Sequence, residues 1–470
     1  MRKIHLLIVF STLITVATAQ TISQKIHKAY NQFEADAQVK YATSSLYIID
    51  AKTGKVLFDN NSRVGLAPAS TQKIITSVTA FELLGEGYGY QTWAYFDGVV
   101  ANGVLDGNFI IKATGDPTLG SPRYDRNKRQ NIIAAFVNML TRRNITTIKG
   151  DVIIDETTFE TASVPDGWIW QDIGNYYGAG AYALNWNENQ YDMFLQSGAK
   201  ENDSVKIVRT EPELEVQSFV NELKAGPKGS GDNAYIYMAP YALNGFVRGT
   251  IPPAQQNFSV SGSFPYPAWQ FSNELREALA MAKVNVNGRF RTSLDLSVNE
   301  KALQYKDDPI GFVVSPSLAT MTDWFLKKSI NLYGEAFIKT IAYVKKGYGS
   351  TRQGLDILRD FWKQKGLDEN ELNMSDGSGL SPQNRVTTHA QVEILKYAQK
   401  QKWYSWFYDA MPEYNGMKMK SGTIKDVKGY CGYHKSKDGK EYIFSFLVNN
   451  YNGSASSLVN KMYKVLDVLK

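Results

Sequence analysis

Cysteine and histidine are scarce in this sequence: 470 residues include one cysteine, Cys431, and four histidines. A single cysteine excludes an intrachain disulfide, and its surroundings, "KGYCGYH", alternate as in a strand, which predicts a buried small side chain. The histidines, His5, His27, His389 and His434, are scattered and form no metal-ligand motif. We therefore expect no metal and no cofactor, and a Ser-His-Asp triad has almost no support.

Long apolar runs are absent beyond the N-terminus. The first residues, "MRKIHLLIVFSTLITVATAQ", begin with a basic pair, continue with an apolar run and end in small residues before Gln20. This pattern predicts a cleavable signal peptide over residues 1–19. The run is too short to span a bilayer comfortably and no second candidate follows, so we expect an exported chain without a transmembrane segment.

Charge of one sign is not strongly in excess. The net charge is +6, and 21% of the residues are charged. The sequence contains no basic stripe and no RNA-binding motif, so nucleic acid is not an expected partner. The 43% hydrophobic content is that of an ordinary globular protein. The length suggests two or three domains, and no internal repeat is present.

Both ends of the chain carry strand signals. Residues 21–40 have helical spacing, and "SSLYIIDAKTGKVLFDNN" (44–61) predicts a hairpin around a Thr-Gly turn. The C-terminal part predicts three strands and a closing helix, whose apolar side should pack on the sheet rather than on a membrane. We expect one α+β domain with an antiparallel sheet formed by residues 20–90 and 303–470.

The middle of the chain, residues 91–302, is predicted to be a large, mostly β insertion. It contains a hairpin with an Asn102-Gly103 turn, a helix near 126–142, the strand "GDVIID" and the helix "SNELREALAMAKV". Helices dominate again between about 317 and 400.

Three short motifs each occur twice, and their context separates them. The pairs are Ser70–Lys73 and Ser197–Lys200, Ser329–Asn331 and Ser297–Asn299, Lys420–Gly422 and Lys52–Gly54. We interpret Ser197 as a surface-loop residue, Lys52–Gly54 as a hairpin turn and Ser297 as a loop entry. The remaining ordered set is "ASTQK" opening a helix, "KKSIN" between helices, and "MKSGT" on a strand.

This ordered set contains the groups that nucleophilic catalysis needs. Ser70 needs a base, and Lys73 lies one helical turn away, although a free lysine has a pKa of about 10.4. Partial burial and the cation of Lys420 would favour neutral Lys73. Ser329 could pass a proton to a leaving amine, and the Asn331 amide could orient a peptide carbonyl. Ser70 could instead be only a helix N-cap.

The three motifs resemble the Ser-x-x-Lys, Ser-Asp-Asn and Lys-Thr-Gly set of penicillin-binding proteins and class A β-lactamases. The long stretch between the two serines resembles the class C low-molecular-mass penicillin-binding proteins, the D-alanyl-D-alanine carboxypeptidase/endopeptidase family. Further stretches are similar to that family: "GDPTL" (115–119), "GDVIIDETTF" (150–159), "GWIWQD" (167–172), "KKSINLYGE" (327–335) and "DGSGLSPQN" (376–384). The resemblance implies a β-lactamase/DD-peptidase-like fold interrupted by an insertion.

The resemblance also implies roles for individual residues. Ser70 would be the acylated nucleophile with Lys73 as its base, and Ser329 and Asn331 would form the second motif. The substrate would lie along Lys420, Ser421, Gly422 and Thr423, with the N–H groups of Ser70 and Thr423 as the oxyanion hole. Asp172 would reach toward the amine of a diaminopimelate side chain. Ser421 stands where the family usually has threonine.

The implied activity is a periplasmic serine DD-peptidase that cleaves peptidoglycan stem peptides or their cross-bridges and is inhibited covalently by β-lactam antibiotics. A β-lactamase and a non-catalytic wall-binding protein are the alternatives. The sequence leaves the carboxypeptidase and endopeptidase activities, and the third residue of the stem peptide, open.

Overall fold

A computed structural model describes residues 20–214, 218–296, 303, 305 and 308–470. The predicted signal peptide and the Ser297–Asn299 motif lie outside the described residues.

The two ends of the chain share one antiparallel sheet with the strand order β2-β1-β23-β22-β21-β20. Strands from the N-terminal and C-terminal parts pair directly, from Thr43 opposite Asn449 to Asp50 opposite Tyr442. The strands of this sheet are β1 (Thr43–Asp50), β2 (Val56–Asn60), β20 (Glu413–Tyr414), β21 (Met417–Ile424), β22 (Val427–Lys435) and β23 (Glu441–Asn449). The predicted α+β fold with a shared sheet is confirmed.

Helices cover both faces of this sheet. The helices of this part are α1 (Ile22–Glu34), α2 (Lys73–Leu84), α7 (Leu318–Lys327), α8 (Asn331–Lys346), α9 (Thr351–Gln364), α10 (Thr388–Ala398), α11 (Tyr404–Ala410) and α12 (Ala455–Leu466). The helices α3 (Arg129–Thr141), α4 (Trp170–Ile173), α5 (Pro267–Met281) and α6 (Ser293–Leu296) belong to the middle of the chain. Because strand side chains alternate between faces, Leu46 and Ile48 of β1 pack with α1 and α12, whereas Tyr47 and Ile49 pack with the helices on the other face.

The closing helix packs as its apolar stripe predicts. Leu458, Met462 and Leu466 of α12 are buried against the sheet and α1. On the opposite face, α8 is buried from Asn331 to Ala342, which makes it the central helix of that layer. In the described part of the chain, none of the helices is both apolar enough and long enough to cross a membrane.

The middle of the chain forms four further sheets with the orders β16-β8-β6-β3-β17, β15-β7-β5-β4, β10-β9-β14 and β11-β13-β12. Their strands are β3 (Gln91–Phe96), β4 (Val99–Ala101), β5 (Val104–Asp106), β6 (Phe109–Lys112), β7 (Thr147–Ile148), β8 (Val152–Asp155), β9 (Gln190–Ser197), β10 (Val205–Glu211), β11 (Ser218–Ala225), β12 (Asn233–Tyr237), β13 (Asn244–Ile251), β14 (Phe258–Ser263), β15 (Asn285–Val286), β16 (Phe290–Thr292) and β17 (Gly311–Val314). A two-stranded sheet pairs β18 (Leu372–Asn373) with β19 (Arg385–Val386).

Local signals in this middle region hold in part. Asn102 and Gly103 both have positive φ and join β4 to β5, as the Asn-Gly turn predicts. The helix predicted at "SNELREALAMAKV" begins five residues earlier, at Pro267, since proline suits the first helical turn.

The first helix of the chain ends at Glu34 rather than near residue 40, and Asp36 caps a separate 3₁₀ turn.

The middle region has its own core, which includes Phe136, Ile154, Trp186 and Phe271. Its five-stranded sheet also takes in β17, which lies beyond the predicted end of the insertion at residue 302 and pairs with β3. The domain bounds at residues 90 and 302 stay a prediction.

Asp116 of "GDPTL" is a buried carboxylate in this region, 2% exposed. Its Oδ1 accepts hydrogen bonds from the backbone N and the Oγ1 of Thr118. Burial raises the pKa of Asp116 from 3.8 to about 6, although the hydrogen bonds oppose the shift. Between these two pH values the Asp116 carboxyl is ionised in the unfolded chain and protonated in the folded chain. The free energy of unfolding therefore falls as pH rises through this window.

We expect Asp116→Asn to remove this pH-dependent loss. The free energy of unfolding of the variant minus that of the wild type should be larger at pH 7 than at pH 4, by up to about 3 kcal/mol. Urea unfolding at both pH values measures the difference. The matched control is Asp232→Asn, because exposed Asp232 accepts an equivalent bond from Ala234 N. Equal pH dependence in wild type and Asp116→Asn would contradict the prediction.

Candidate active site

Ser70 lies in a 3₁₀ turn, Ala69–Gln72, that continues directly into α2. Neither the turn nor α2 has a side-chain cap, so the interpretation of Ser70 as a helix cap is wrong. The Ser70 Oγ instead lies 2.9 Å from Lys73 Nζ. The tight turn places the two side chains on one face, since residues three apart in a 3₁₀ helix eclipse each other.

Lys73 is fully buried. Besides Ser70, its Nζ contacts Asn331 Oδ1 at 2.6 Å and the Ser378 carbonyl oxygen at 2.6 Å. A neutral amine has two N–H donors and one lone pair. The two carbonyl-type oxygens can take the two N–H groups, which leaves the lone pair for the Ser70 hydroxyl proton. The partners of Lys73 therefore suit the base form of lysine.

The electrostatic surroundings of Lys73 also favour its neutral form. Burial, and then the positive charge of Lys420, hold the pKa of Lys73 well below its usual value. The carboxylates of Asp376 and Glu335 oppose this shift but do not reverse it. Burial and the charge of Lys420 both favour the neutral form of Lys73, the form that could act as a base for Ser70.

Strand β21 lies against the nucleophile turn at Gly422. A Cβ added there would come within 2.5 Å of Pro68 O and 3.0 Å of Ser70 N, so only glycine permits this approach. The neighbouring Lys420 is 1% exposed and its Nζ donates to Ser421 O at 2.8 Å. Burial, aided by the charge of Lys428, lowers the pKa of Lys420 to about 7, although Cys431 opposes the shift.

The third motif also lies at a sheet edge. On one side β21 pairs with β22 along its length, from Lys418 to Ile424. On the other side β20 pairs only with Met417 and Lys418. Among the described residues, the edge from Lys420 to Thr423 thus has no strand partner on that side. An extended peptide can add to such an edge through main-chain hydrogen bonds.

The second motif lies where α7 gives way to α8. Ser329 has φ 58°, in the left-handed region that serine rarely adopts, which marks a strained connection. Asn331 begins α8, accepts from Lys73 through Oδ1, and donates through Nδ2 to Tyr177 O at 2.7 Å. Because protein groups already engage both ends of the amide, a substrate carbonyl would share Nδ2 with Tyr177.

Asp172 lies on α4 and is half-buried. Burial raises the pKa of its carboxyl, while a hydrogen bond from the Tyr177 side chain opposes the shift. Tyr177 thus contacts Asp172 through its side chain and Asn331 through its carbonyl oxygen. Tyr177 therefore links Asp172 to Asn331, which contacts Lys73.

Asp376 and Glu335 are the main residues that motif reasoning missed. Asp376 is fully buried and accepts hydrogen bonds from five groups: Gln72 Nε2 (2.8 Å), Trp168 Nε1 (2.9 Å), Gly379 N (2.8 Å), Ser381 N (2.6 Å) and Asn384 Nδ2 (2.9 Å). Glu335 Oε2 accepts from Gly377 N at 2.9 Å. Together the two carboxylates hold the 376–384 loop where Ser378 O meets Lys73. The "DGSGLSPQN" resemblance was the available signal.

The repeated motifs differ in structure as well as in sequence. Ser197 is the last residue of β9, 5% exposed, and donates to Pro252 O at 2.7 Å, so its placement in a surface loop is wrong. Lys52–Gly54 does form the hairpin turn, with Gly54 at φ 73°. Cys431 is buried, as predicted. No His/Cys/Asp/Glu cluster able to hold a metal ion occurs among the described residues.

A protein-family model for the D-Ala-D-Ala carboxypeptidase 3 (S13) family matches residues 26–415. The chain belongs to this family. It is therefore a serine-type DD-peptidase of peptidoglycan, and the resemblance to class C low-molecular-mass penicillin-binding proteins is confirmed. The matched range ends before Lys420, so the position of β21 beside Ser70 is the evidence for the third motif.

The sequence of this chain is similar to two curated D-alanyl-D-alanine carboxypeptidases over most of their length. The chain is 23% identical over 424 residues to the D-alanyl-D-alanine carboxypeptidase DacB of Haemophilus influenzae, covering 85% of this chain and 83% of the relative. It is 24% identical over 450 residues to the D-alanyl-D-alanine carboxypeptidase of Actinomadura sp. (strain R39), covering 89% and 80%.

A solved structure shows the same fold. The crystal structure of penicillin binding protein 4 from Haemophilus influenzae superposes with a TM-score of 0.79 at 19% identity, covering 94% of this chain and 98% of that one. The predicted DD-peptidase-like fold is confirmed.

Gly422→Ala should separate β21 from the nucleophile turn, because the new methyl group would collide with Pro68 O. We expect the rate of acylation by labelled penicillin to fall about 100-fold, as for a displacement of roughly 1 Å in an active site. Near-UV circular dichroism should stay unchanged. The control is Gly87→Ala, where an added Cβ meets nothing within 4 Å. An acylation rate within about 3-fold of wild type would contradict the prediction.

Proposed function

We propose that the chain hydrolyses D-alanyl-D-alanine termini, or D-alanyl–diamino acid cross-bridges, through an acyl-enzyme on Ser70. The observation that carries the proposal is the fully buried Lys73 amine, held between two carbonyl-type oxygens and the Ser70 hydroxyl.

Acylation begins when neutral Lys73 accepts the Ser70 proton. Ser70 Oγ then attacks the carbonyl carbon of the penultimate D-alanine. The N–H groups of Ser70 and Thr423 bind the resulting oxyanion, and Gly422 permits β21 to lie close enough for this. As the C–N bond breaks, Ser329 passes its proton to the leaving amine and takes up the proton that Lys73 received from Ser70, so Lys73 is neutral again. Water then attacks the ester and gives one proton to Lys73, which returns it to the Ser70 oxygen as the ester bond breaks.

Substrate recognition uses both the sheet edge and the middle region. The stem peptide lies along Lys420 to Thr423, with the Lys420 ammonium near the carboxylate of the leaving residue. Asp172 accepts the side-chain amine of a diamino acid, and this contact ionises the carboxyl more fully because an adjacent cation lowers its pKa.

The signal-peptide pattern at residues 1–19 supports export to the periplasm, where peptidoglycan and β-lactam antibiotics would both reach Ser70. A β-lactam would acylate the same hydroxyl. A long-lived acyl-enzyme separates a penicillin-binding protein from a β-lactamase, which would turn the drug over rapidly.

Ser70→Ala should abolish both labelling by penicillin and hydrolysis of purified peptidoglycan. The matched control is Ser197→Ala, because Ser197 starts the same four-letter motif. It should retain both activities. Peptide mass mapping of the wild type locates the label, and a label on any other residue contradicts the assignment. Cell-wall binding and phenotype unaffected by Ser70→Ala would favour the non-catalytic alternative.

Product analysis of the same digest separates the two peptidase activities. Free D-alanine indicates a carboxypeptidase, whereas conversion of dimeric muropeptides to monomers indicates an endopeptidase.

Asp172→Asn should reduce kcat/KM about 10-fold for a muropeptide with a free diaminopimelate amine, since a charge-assisted hydrogen bond is lost. The same muropeptide with an acetylated amine should be cleaved equally by wild type and variant. The ratio of the two rates is the measurement. An equal loss on both substrates would show that Asp172 acts only through Tyr177 and the fold.

A further inference from the structure

Lys428 lies outside all three motifs, yet its side chain reaches the third one. It is directly opposite Thr423 in the β21–β22 register, and its Nζ donates to Thr423 Oγ1 at 2.8 Å. The residue is 9% exposed, and its Nζ lies 4.9 Å from the centroid of the Tyr430 ring. An ordinary surface lysine would keep its ammonium in water.

Lys428 and Lys420 are two buried lysines on neighbouring strands. Neither takes part in any of the salt bridges among the described residues. Each residue is at most 9% exposed, and the charge of Lys428 lowers the pKa of Lys420. Burial disfavours the protonated form of both lysines, and an anion bound at the open edge of β21 would favour it.

The Thr423 hydroxyl shows where that anion would lie. Its oxygen accepts from Lys428, so its own hydrogen can point toward another acceptor. Thr423 is exposed and belongs to the open edge of β21. A carboxylate at the end of a peptide bound along this edge can accept that hydrogen.

We propose that Lys428 is a positioning residue of the carboxylate subsite, which orients the Thr423 hydroxyl toward the free α-carboxylate of the leaving D-amino acid and adds a second positive charge. This inference rests on the proposed function. Burial lowers the pKa of Lys428, and a bound carboxylate would favour its charged form.

Two matched tripeptides test the inference: diacetyl-L-lysyl-D-alanyl-D-alanine and its C-terminal amide. For Lys428→Met we expect kcat/KM on the free acid to fall about 10- to 100-fold, mainly through KM, as expected for a lost charge-assisted contact. On the amide the change should stay within about 3-fold, because the amide has no carboxylate to bind. Lys428→Arg keeps the cation and should retain most of the preference for the acid.

The control is Lys425→Met, since exposed Lys425 lies on the same β21–β22 turn. It should leave both substrates unchanged. If Lys428→Met does not fold, Lys428→Gln gives the same comparison, because it can still donate to Thr423 Oγ1 without a charge. It should show a smaller loss on the free acid alone.

Equal losses on acid and amide, or no loss on either, would overturn the role of Lys428 while leaving the proposed peptidase activity intact. A wild-type enzyme that cleaves neither peptide and releases nothing from peptidoglycan would overturn the proposed function, and this inference with it.

Discussion

The Lys73 amine joins three segments that lie far apart in the chain. One of its contacts is local, to Ser70, but the others come from Asn331 at the start of α8 and from Ser378 in the 376–384 loop. Burial makes these contacts strong and removes competing water. The surroundings of Lys73 therefore depend on the positions of α8 and of the 376–384 loop.

Charges around the site are arranged in two groups. Asp376 and Glu335 lie behind Lys73, where burial raises the pKa of Glu335 and the carboxylates hold the loop. Lys420 is buried on β21, and its positive charge disfavours a proton on Lys73. Lys428 in turn lowers the pKa of Lys420. In the proposed mechanism, Lys420 serves both base activation and substrate recognition.

The middle region also takes part in the site rather than only flanking it. Trp168 donates to Asp376, which holds the 376–384 loop beside Lys73. Tyr177 accepts from Asn331, which contacts Lys73 directly. If Asp172 binds a diamino acid as proposed, Tyr177 would connect that binding to the position of Asn331.

Local sequence signals were sufficient for the hairpins, most helix positions and the three motifs, because turn residues and short spacings act within a few residues. They failed where partners come from elsewhere. The local sequence predicts a surface loop at Ser197, but this residue ends β9 and donates to Pro252 O. Asp376 and Glu335 lie in stretches similar to the family but had no predicted role, and Lys428 lies in no motif. Their importance comes from strand register and helix packing between residues far apart in the chain, and only the folded chain brings these groups together.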